Sequence, residues 1–395
     1  MTETLLDAKA AIVGWAHSPF GKLEDADTEA LMARVAGEAI AHAGLGAEQV
    51  ESIHVGVFNA GFQKQDFHGA LPALSLPELA HVPAVRVENA CATGSAAIHS
   101  ALNHIESGRG RIALVIGAEK MTAKPTAEVG DILLNASYRK EEADIDGGFA
   151  GVFGRIAQTY FQRYGDRSEE LARIAAKNHR NGVGNPYAQM RKDFGFEFCN
   201  TISEKNPYVA PPLRRTDCSL VSDGAAALVI ASADIAASLP RAVAFRARTQ
   251  VNDIMPLSRR DPIAFEGARR AWAAALAEAG LSLDDLSLVE THDCFTVAEL
   301  IEYEAMGLAK PGEAYKVVRE GIAEKTGRLP VNPSGGLKSK GHPIGATGVS
   351  MHVLSAMQLM GEAGDMQIPG AKLAGVFNMG GSAVANYVSI LERVR

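Results

Sequence analysis

Glu88-Asn89-Ala90-Cys91-Ala92-Thr93-Gly94-Ser95-Ala96-Ala97 joins an alternating run, Val85-Arg86-Val87-Glu88, to a stretch in which Ala96, Ala97, Ile98, Ala101 and Leu102 recur at helical spacing. A strand that turns straight into a small-residue helix leaves Cys91 near the helix start. Unpaired backbone N–H groups and the positive end of the helix dipole favour a thiolate there, so the position predicts a thiol pKa below the ~8.5 of a free cysteine. The small neighbours leave room for a carbonyl to approach the sulfur. A cysteine among alanines is commonly an inert core residue, so a nucleophile requires a base and oxyanion donors from elsewhere.

Two later segments supply them. Thr291-His292-Asp293-Cys294-Phe295-Thr296 follows the apolar run from Leu286 to Val289. Asn332-Pro333-Ser334-Gly335-Gly336-Leu337-Lys338-Ser339-Lys340-Gly341-His342-Pro343-Ile344-Gly345-Ala346-Thr347-Gly348 is a glycine-rich loop feeding an apolar helix, the kind of loop that lets backbone approach a ligand closely. The other nine histidines form no cluster with metal-ligand spacing, and no metal site is expected. Trp15 and Trp272 read as packing residues, and Cys199 and Cys218 have no motif that gives them a role.

Strand and helix patterns alternate in two halves, which predicts an α/β architecture. Ala39-Ile40-Ala41-His42-Ala43-Gly44-Leu45 before Val50 and Ile53 is echoed by Ala275-Leu276-Ala277-Glu278-Ala279-Gly280-Leu281 before Leu286 and Val289. A weaker echo pairs Asn89 through Cys91 with Asn378 through Gly380, each expected after a strand and before a small-residue helix. The expected division is residues 1–245 and 246–395, with a lobe inserted at 122–220. Helical spacing of Phe149, Val152, Phe153, Ile156 and Tyr160, and then of Leu171, Ile174 and Ala175, predicts two helices in that insertion.

The 395 residues carry a net charge of −7 and only four cysteines. That balance disfavours a nucleic-acid surface and a disulfide scaffold, and fits a reduced, cytoplasmic enzyme. Met1-Thr2-Glu3-Thr4-Leu5-Leu6-Asp7 lacks the apolar core of a signal peptide, no apolar run is long enough to span a membrane, and Arg393-Val394-Arg395 is not a peroxisomal address.

Taken in order, these motifs resemble the thiolase superfamily, and within it the sterol-carrier-protein type with its His-Asp-Cys-Phe and Gly-His-Pro motifs. The resemblance runs from Ala11-Ile12-Val13-Gly14 through Gly117-Ala118-Glu119-Lys120-Met121 and Ser222-Asp223-Gly224 to Asn378-Met379-Gly380-Gly381-Ser382-Ala383. It implies a thiolase fold: two duplicated α/β halves in an α-β-α-β-α layering, with an inserted loop domain over the site. Common thiolases carry a second reactive cysteine in a Cys-x-Gly motif, where this chain reads Asn378-Met379-Gly380. In the sterol-carrier type the acid/base is the cysteine of His-Asp-Cys-Phe, and Cys294 inherits that role by resemblance.

The resemblance implies an acyl-CoA C-acyltransferase, either an acetyl-CoA acetyltransferase or a 3-oxoacyl-CoA thiolase, with Cys91, His292, Cys294 and His342 catalytic. The oxyanion donors are then His292 and His342 on one side and the backbone N–H groups of Cys91 and Gly380 on the other. Coenzyme A thioesters are the substrates and no cofactor is implied. Ser334, Gly335 and Arg214 are candidates for coenzyme A contacts, as are Arg191, Lys192 and Arg215 for its phosphates. Glu119 and Lys120 are expected to be structural, and Asp293 to orient its loop. A homodimer or tetramer is expected, with edge strands near Cys91 pairing between copies. The alternatives are a C-acyltransferase acting on a non-CoA acceptor, or a subunit dependent on a small zinc-ribbon, OB-fold partner.

Overall fold

The structure, a computed structural model, describes residues 9–394. The amino-terminal stretch weighed above as a signal peptide, and Arg395 of the terminal tripeptide, lie outside them. The first half runs through β1 (Ala10–His17), α1 (Thr28–His42), β2 (Ser52–Gly56), β3 (Ala84–Val87), α2 (Thr93–Glu106) and β4 (Ile112–Glu119). The insertion follows, with α3 (Gly148–Tyr164), α4 (Ser168–Gly182) and a small hairpin of Tyr208–Ala210 and Leu213–Arg214, before the chain returns in β5 (Gly224–Ser232). The second half comprises β6 (Val243–Asn252), α5 (Glu266–Ala279), β7 (Leu288–Glu290), α6 (Thr296–Ala305), α7 (Ile344–Met360), β8 (Leu373–Gly380) and β9 (Ala385–Arg393).

Nine strands form one sheet in the order β3-β2-β4-β5-β1-β6-β9-β8-β7. Within it, β2-β4-β5-β1 and β7-β8-β9-β6 repeat the same topology: a parallel pair followed by two antiparallel ones. The duplication is therefore in the topology itself. The halves that the resemblance expects as two sheets share a hydrogen-bonded edge of two residue pairs, Ala11 with Ala244 and Ile12 with Val243. The expected boundary at residue 245 lies within β6, which begins at Val243 after the connection from Ser232.

Alternation along the strands explains why both faces of the first half are covered. Ala11, Val13, Leu114, Ile116, Ala227 and Val229 pack in one cluster with Leu31, Met32 and Val35 of α1. Ala10, Ile12, Ala113, Val115, Leu228 and Ile230 face the other way, in the cluster that holds α2 and α7. Helix α7 is buried on nearly every side, as an all-round apolar sequence requires.

The helices α2 and α7 meet backbone to backbone. A Cβ on Gly94 would lie 2.7 Å from the Val349 nitrogen, and one on Gly348 2.3 Å from the Ser95 nitrogen. They occupy equivalent places in the repeat, and their first turns read Ala92-Thr93-Gly94 and Ala346-Thr347-Gly348. This is the echo the sequence patterns missed. The echo expected between Asn89–Cys91 and Asn378–Gly380 does not hold, because β8 turns directly into β9 rather than into a helix.

Candidate active site

Cys91 sits on a strained turn between β3 and α2. Ala90 takes a left-handed φ of 49°, the Asn89 N–H donates to Thr93 Oγ1 at 2.8 Å, and that hydroxyl donates to the Ala90 carbonyl at 2.6 Å. Gly380 makes the turn possible from the other side, since a Cβ there would meet the Asn89 carbonyl at 2.4 Å. The thiol is buried among Phe58, Phe62, Met121, Val129, Ile132 and Ile344.

Burial decides its protonation. Loss of solvent pushes the Cys91 thiol up to about 12, against weaker opposing help from the backbone N–H groups of Gly381 and of Cys91 itself. The low pKa expected from the helix start is therefore overturned: the peptide dipoles are present, but desolvation of the thiolate outweighs them. The second backbone donor beside the sulfur is the N–H of Gly381, next to Gly380 in the turn from β8 into β9. The consequence is measurable. Alkylation of Cys91 at pH 7 is expected to be slower than that of a free cysteine, and its rate to keep rising with pH to about pH 10 without levelling off near neutrality. A plateau near pH 7, followed by intact-mass spectrometry, would refute the neutral thiol.

The two histidines converge on the sulfur. Cys91 Sγ and one ring nitrogen each of His292 and His342 lie within 4.8 Å of one another, and the rings stand edge to face with centroids 5.1 Å apart. Each Nδ1 is already engaged. That of His292 meets Asn378 Nδ2 at 2.9 Å, and that of His342 meets Thr347 Oγ1 at 2.7 Å. Each Nε2 is buried without a hydrogen-bond partner among the described residues. Burial, with the Lys340 ammonium in support, holds His342 down to about 3; burial, His342 and Lys340 together hold His292 well below its ordinary value. Both rings rest neutral.

Cys294 lies at the turn from β7 into α6, its carbonyl held by the Ser219 N–H at 2.9 Å. Its thiol is raised well above the usual range, first by burial and next by Cys91. Cys91, Cys294 and His342 line one apolar cavity of about 240 Å³. Most of its remaining wall comes from the insertion, through Val129, Leu133, Phe149, Val209, Cys218 and Leu220. Met121, Phe149, Cys218 and Asn378 belong to the site although sequence patterns assigned them no part in it. Only Asn378 left a signal, as the departure from Cys-x-Gly.

The expected coenzyme A contacts are corrected. Ser334 is buried and donates to Glu290 Oε2 at 2.6 Å. Gly335 packs against Gly182, where a Cβ would lie 2.6 Å from the neighbouring Cα. Arg214 is buried on Asp217 at 2.8 Å and holds the Ser168 carbonyl at 2.6 Å. All three are consumed by the scaffold. Glu119 and Lys120 are structural too: Glu119 accepts the backbone N–H groups of Phe58, Asn59 and Gly345, and Lys120 pairs with Asp223 at 2.8 Å. Asp293 accepts the Leu337 and Lys338 N–H groups at the start of the short helix Gly336–Lys340, which fixes the loop carrying His342.

Behind this loop lies a buried polar network. Asn178 Nδ2 joins Asp293 to Glu299 at 2.7 and 2.6 Å, and Lys177 pairs with Glu299 while donating to the Val331 carbonyl at 2.8 Å. Replacing Lys177 by methionine strands the Glu299 carboxylate, and a loss of about 3–5 kcal/mol is expected in chemical denaturation. Adding Glu299→Gln should return part of it; equal stability of the single variant and the parent would show that the pair carries no such weight.

Comparisons with known proteins show the family. The family described as "Thiolase, N-terminal domain" matches residues 10–197, and "Thiolase C-terminal domain-like" matches residues 249–393. An acetyl-CoA acetyltransferase of Methanothermobacter thermautotrophicus is 34% identical over 390 residues, covering 97% of this chain and 99% of that one. Sterol carrier protein 2 of Bos taurus is 35% identical over 322 residues, covering 78% and 58% respectively. Among solved structures, an Ltp2-ChsH2(DUF35) aldolase superposes with a TM-score of 0.83 at 21% identity, covering 98% of both chains. Human mitochondrial 3-ketoacyl-CoA thiolase in complex with CoA gives 0.75 at 17%, again covering 98% of both. With a cysteine and two histidines gathered between two duplicated halves, and relatives that match from end to end, this chain belongs to the thiolase family and is an acyltransferase of the sterol-carrier type.

Proposed function

We propose that the protein forms or cleaves a carbon–carbon bond between acyl-CoA thioesters through an acyl group carried on Cys91. The observation that carries the reading is the convergence of Cys91 Sγ with the two histidine nitrogens, within 4.8 Å, beside a cavity that also holds Cys294. In the cleavage direction Cys91 gives its proton to His342 and attacks the 3-keto carbon of a 3-oxoacyl-CoA. The bond between C2 and C3 breaks, leaving an acyl-enzyme and an acetyl-CoA enolate, which takes a proton from Cys294. A second coenzyme A thiol then accepts the acyl group, its proton restoring Cys294 while His342 returns the proton of Cys91. Condensation runs the same steps in reverse, with Cys294 removing the α-proton of acetyl-CoA.

Charge must be met where it develops. The enolate oxygen is met by the histidine Nε2 atoms, and the tetrahedral oxyanion at the acyl carbon by the backbone N–H groups of Cys91 and Gly380. A groove of about 520 Å³ adjoins the cavity through Leu220 and carries Lys192, Lys205, Arg215 and Lys338. It supports a path for coenzyme A, with its phosphates on these cations. Strand β3 is an edge strand with Val85 exposed, and we assign it to pairing with a second copy. A cytoplasmic location belongs to the same reading; no helix among the described residues is long and apolar enough to cross a membrane.

The test incubates the protein with acetyl-CoA, and separately with acetoacetyl-CoA plus coenzyme A, while thioester turnover and intact mass are followed together. Cleavage of acetoacetyl-CoA with an acetyl adduct on Cys91 is expected. An adduct without turnover would redirect the reading to another acceptor or to a required partner protein, and no adduct would overturn it.

A further inference from the structure

We propose that Asn378 is a positioning residue that locks His292 as a permanent hydrogen-bond donor, while Thr347 leaves His342 free to change between acceptor and donor. This rests on the function proposed above, but the lock itself is a property of the resting protein.

The orientation of the Asn378 amide is over-determined. Its Oδ1 accepts the Ser95 hydroxyl at 2.8 Å, and its Nδ2 donates to the Cys91 carbonyl at 3.1 Å and faces His292 Nδ1 at 2.9 Å. Turning the amide over would set two oxygens, Oδ1 and the Cys91 carbonyl, against each other. An amide nitrogen can only donate. His292 Nδ1 must therefore be the bare nitrogen, and the single proton of the neutral ring sits on Nε2, which points, buried and unpartnered, into the site. The site thus has one fixed N–H aimed at developing negative charge.

His342 is governed differently. Its Nδ1 meets the Thr347 hydroxyl at 2.7 Å, and that hydroxyl also lies 3.0 Å from the Pro343 carbonyl. A hydroxyl both donates and accepts. With its proton on Pro343 O, it takes the Nδ1 proton and leaves Nε2 bare to receive the Cys91 proton. Once Nε2 has received that proton, it becomes a donor beside that of His292. One ring is fixed and the other reversible, and the difference lies in an amide against a hydroxyl. The lock also removes a ligand. Cys91, His292 and His342 have the chemistry of a zinc site, yet a zinc ion needs a lone pair from each histidine, and Asn378 commits the His292 Nε2 lone pair to an N–H bond.

The test begins with the unaltered protein. In ¹⁵N-histidine-labelled enzyme, with the His292 signals assigned by their absence in His292→Gln, the ring is expected in the Nε2–H form at neutral pH. A resting Nδ1–H form would overturn the proposal, whatever activity the enzyme has. Asn378→Asp places an acceptor opposite Nδ1. It is expected to move the proton there, to slow carbon–carbon bond exchange about 10²–10³-fold as one oxyanion donor is lost, to spare acylation of Cys91, and to create zinc inhibition reversed by a chelator. Asn378→Ala controls for folding: it should show a mixture of ring forms and a smaller loss. If Asn378→Asp keeps the Nε2–H form, Asn378 does not set the proton.

Discussion

The Cys91→Ala protein is expected to fold, to bind acyl-CoA, and to take up no acyl group at all. Nothing else lining the cavity can replace the sulfur. Cys294 and Cys218 share that wall, but neither sulfur stands where the His292 and His342 nitrogens converge on Cys91, and burial raises both thiols. Cys294 also has another task in the proposed cycle. Loss of the nucleophile is expected to lower turnover by about 10⁴-fold or more. The cost in stability should be small, on the order of 1 kcal/mol, since only a thiol leaves an already apolar cluster. Intact-mass spectrometry after exposure to acetyl-CoA is the check, and an adduct on the variant would move the nucleophile elsewhere.

Cys294→Ala should divide the reaction. Acylation of Cys91 by acetyl-CoA and exchange of that acyl group with free coenzyme A are expected to persist, whereas cleavage and condensation fall by about 10²–10⁴-fold, the usual contribution of a positioned acid/base. Burial is the first cause holding the Cys294 thiol above its usual range, so it rests protonated, as the acid of the cleavage direction must be. Condensation retained by Cys294→Ala would remove it from that role.

The fold was legible in the sequence wherever periodicity and position agree. The strand-to-helix turn at Cys91, the two helices of the insertion and the helix–glycine–strand echo at Gly44 and Gly280 all appear where the patterns put them. The motif histidines and cysteines were legible as a group because their residue types imply one chemistry. What escaped depends on partners distant in the chain. Whether Arg214 is a phosphate ligand or a buried brace turns on Asp217 and Ser168 packing around it, and no spacing rule states that. The thiol pKa escaped for a related reason: a helix start is local and visible, but the apolar shell that outweighs it is assembled from Phe58, Phe62, Val129 and Ile344 across the fold. Asn378 was visible only as the wrong letter in a motif, and its role needs the Cys91 carbonyl, Ser95 and His292 in place around it.

The bare contact of Gly94 with Gly348 bears on how the enzyme can move. It joins the two repeats three residues from the nucleophile, and a side chain on Gly348 would strike both Ser95 and Asn378. Breathing of one repeat against the other would pull apart the same atoms that define the reactive geometry. In the proposed cycle the halves then act as a rigid anvil, and the insertion that walls the cavity is the part expected to open for substrate entry and product release.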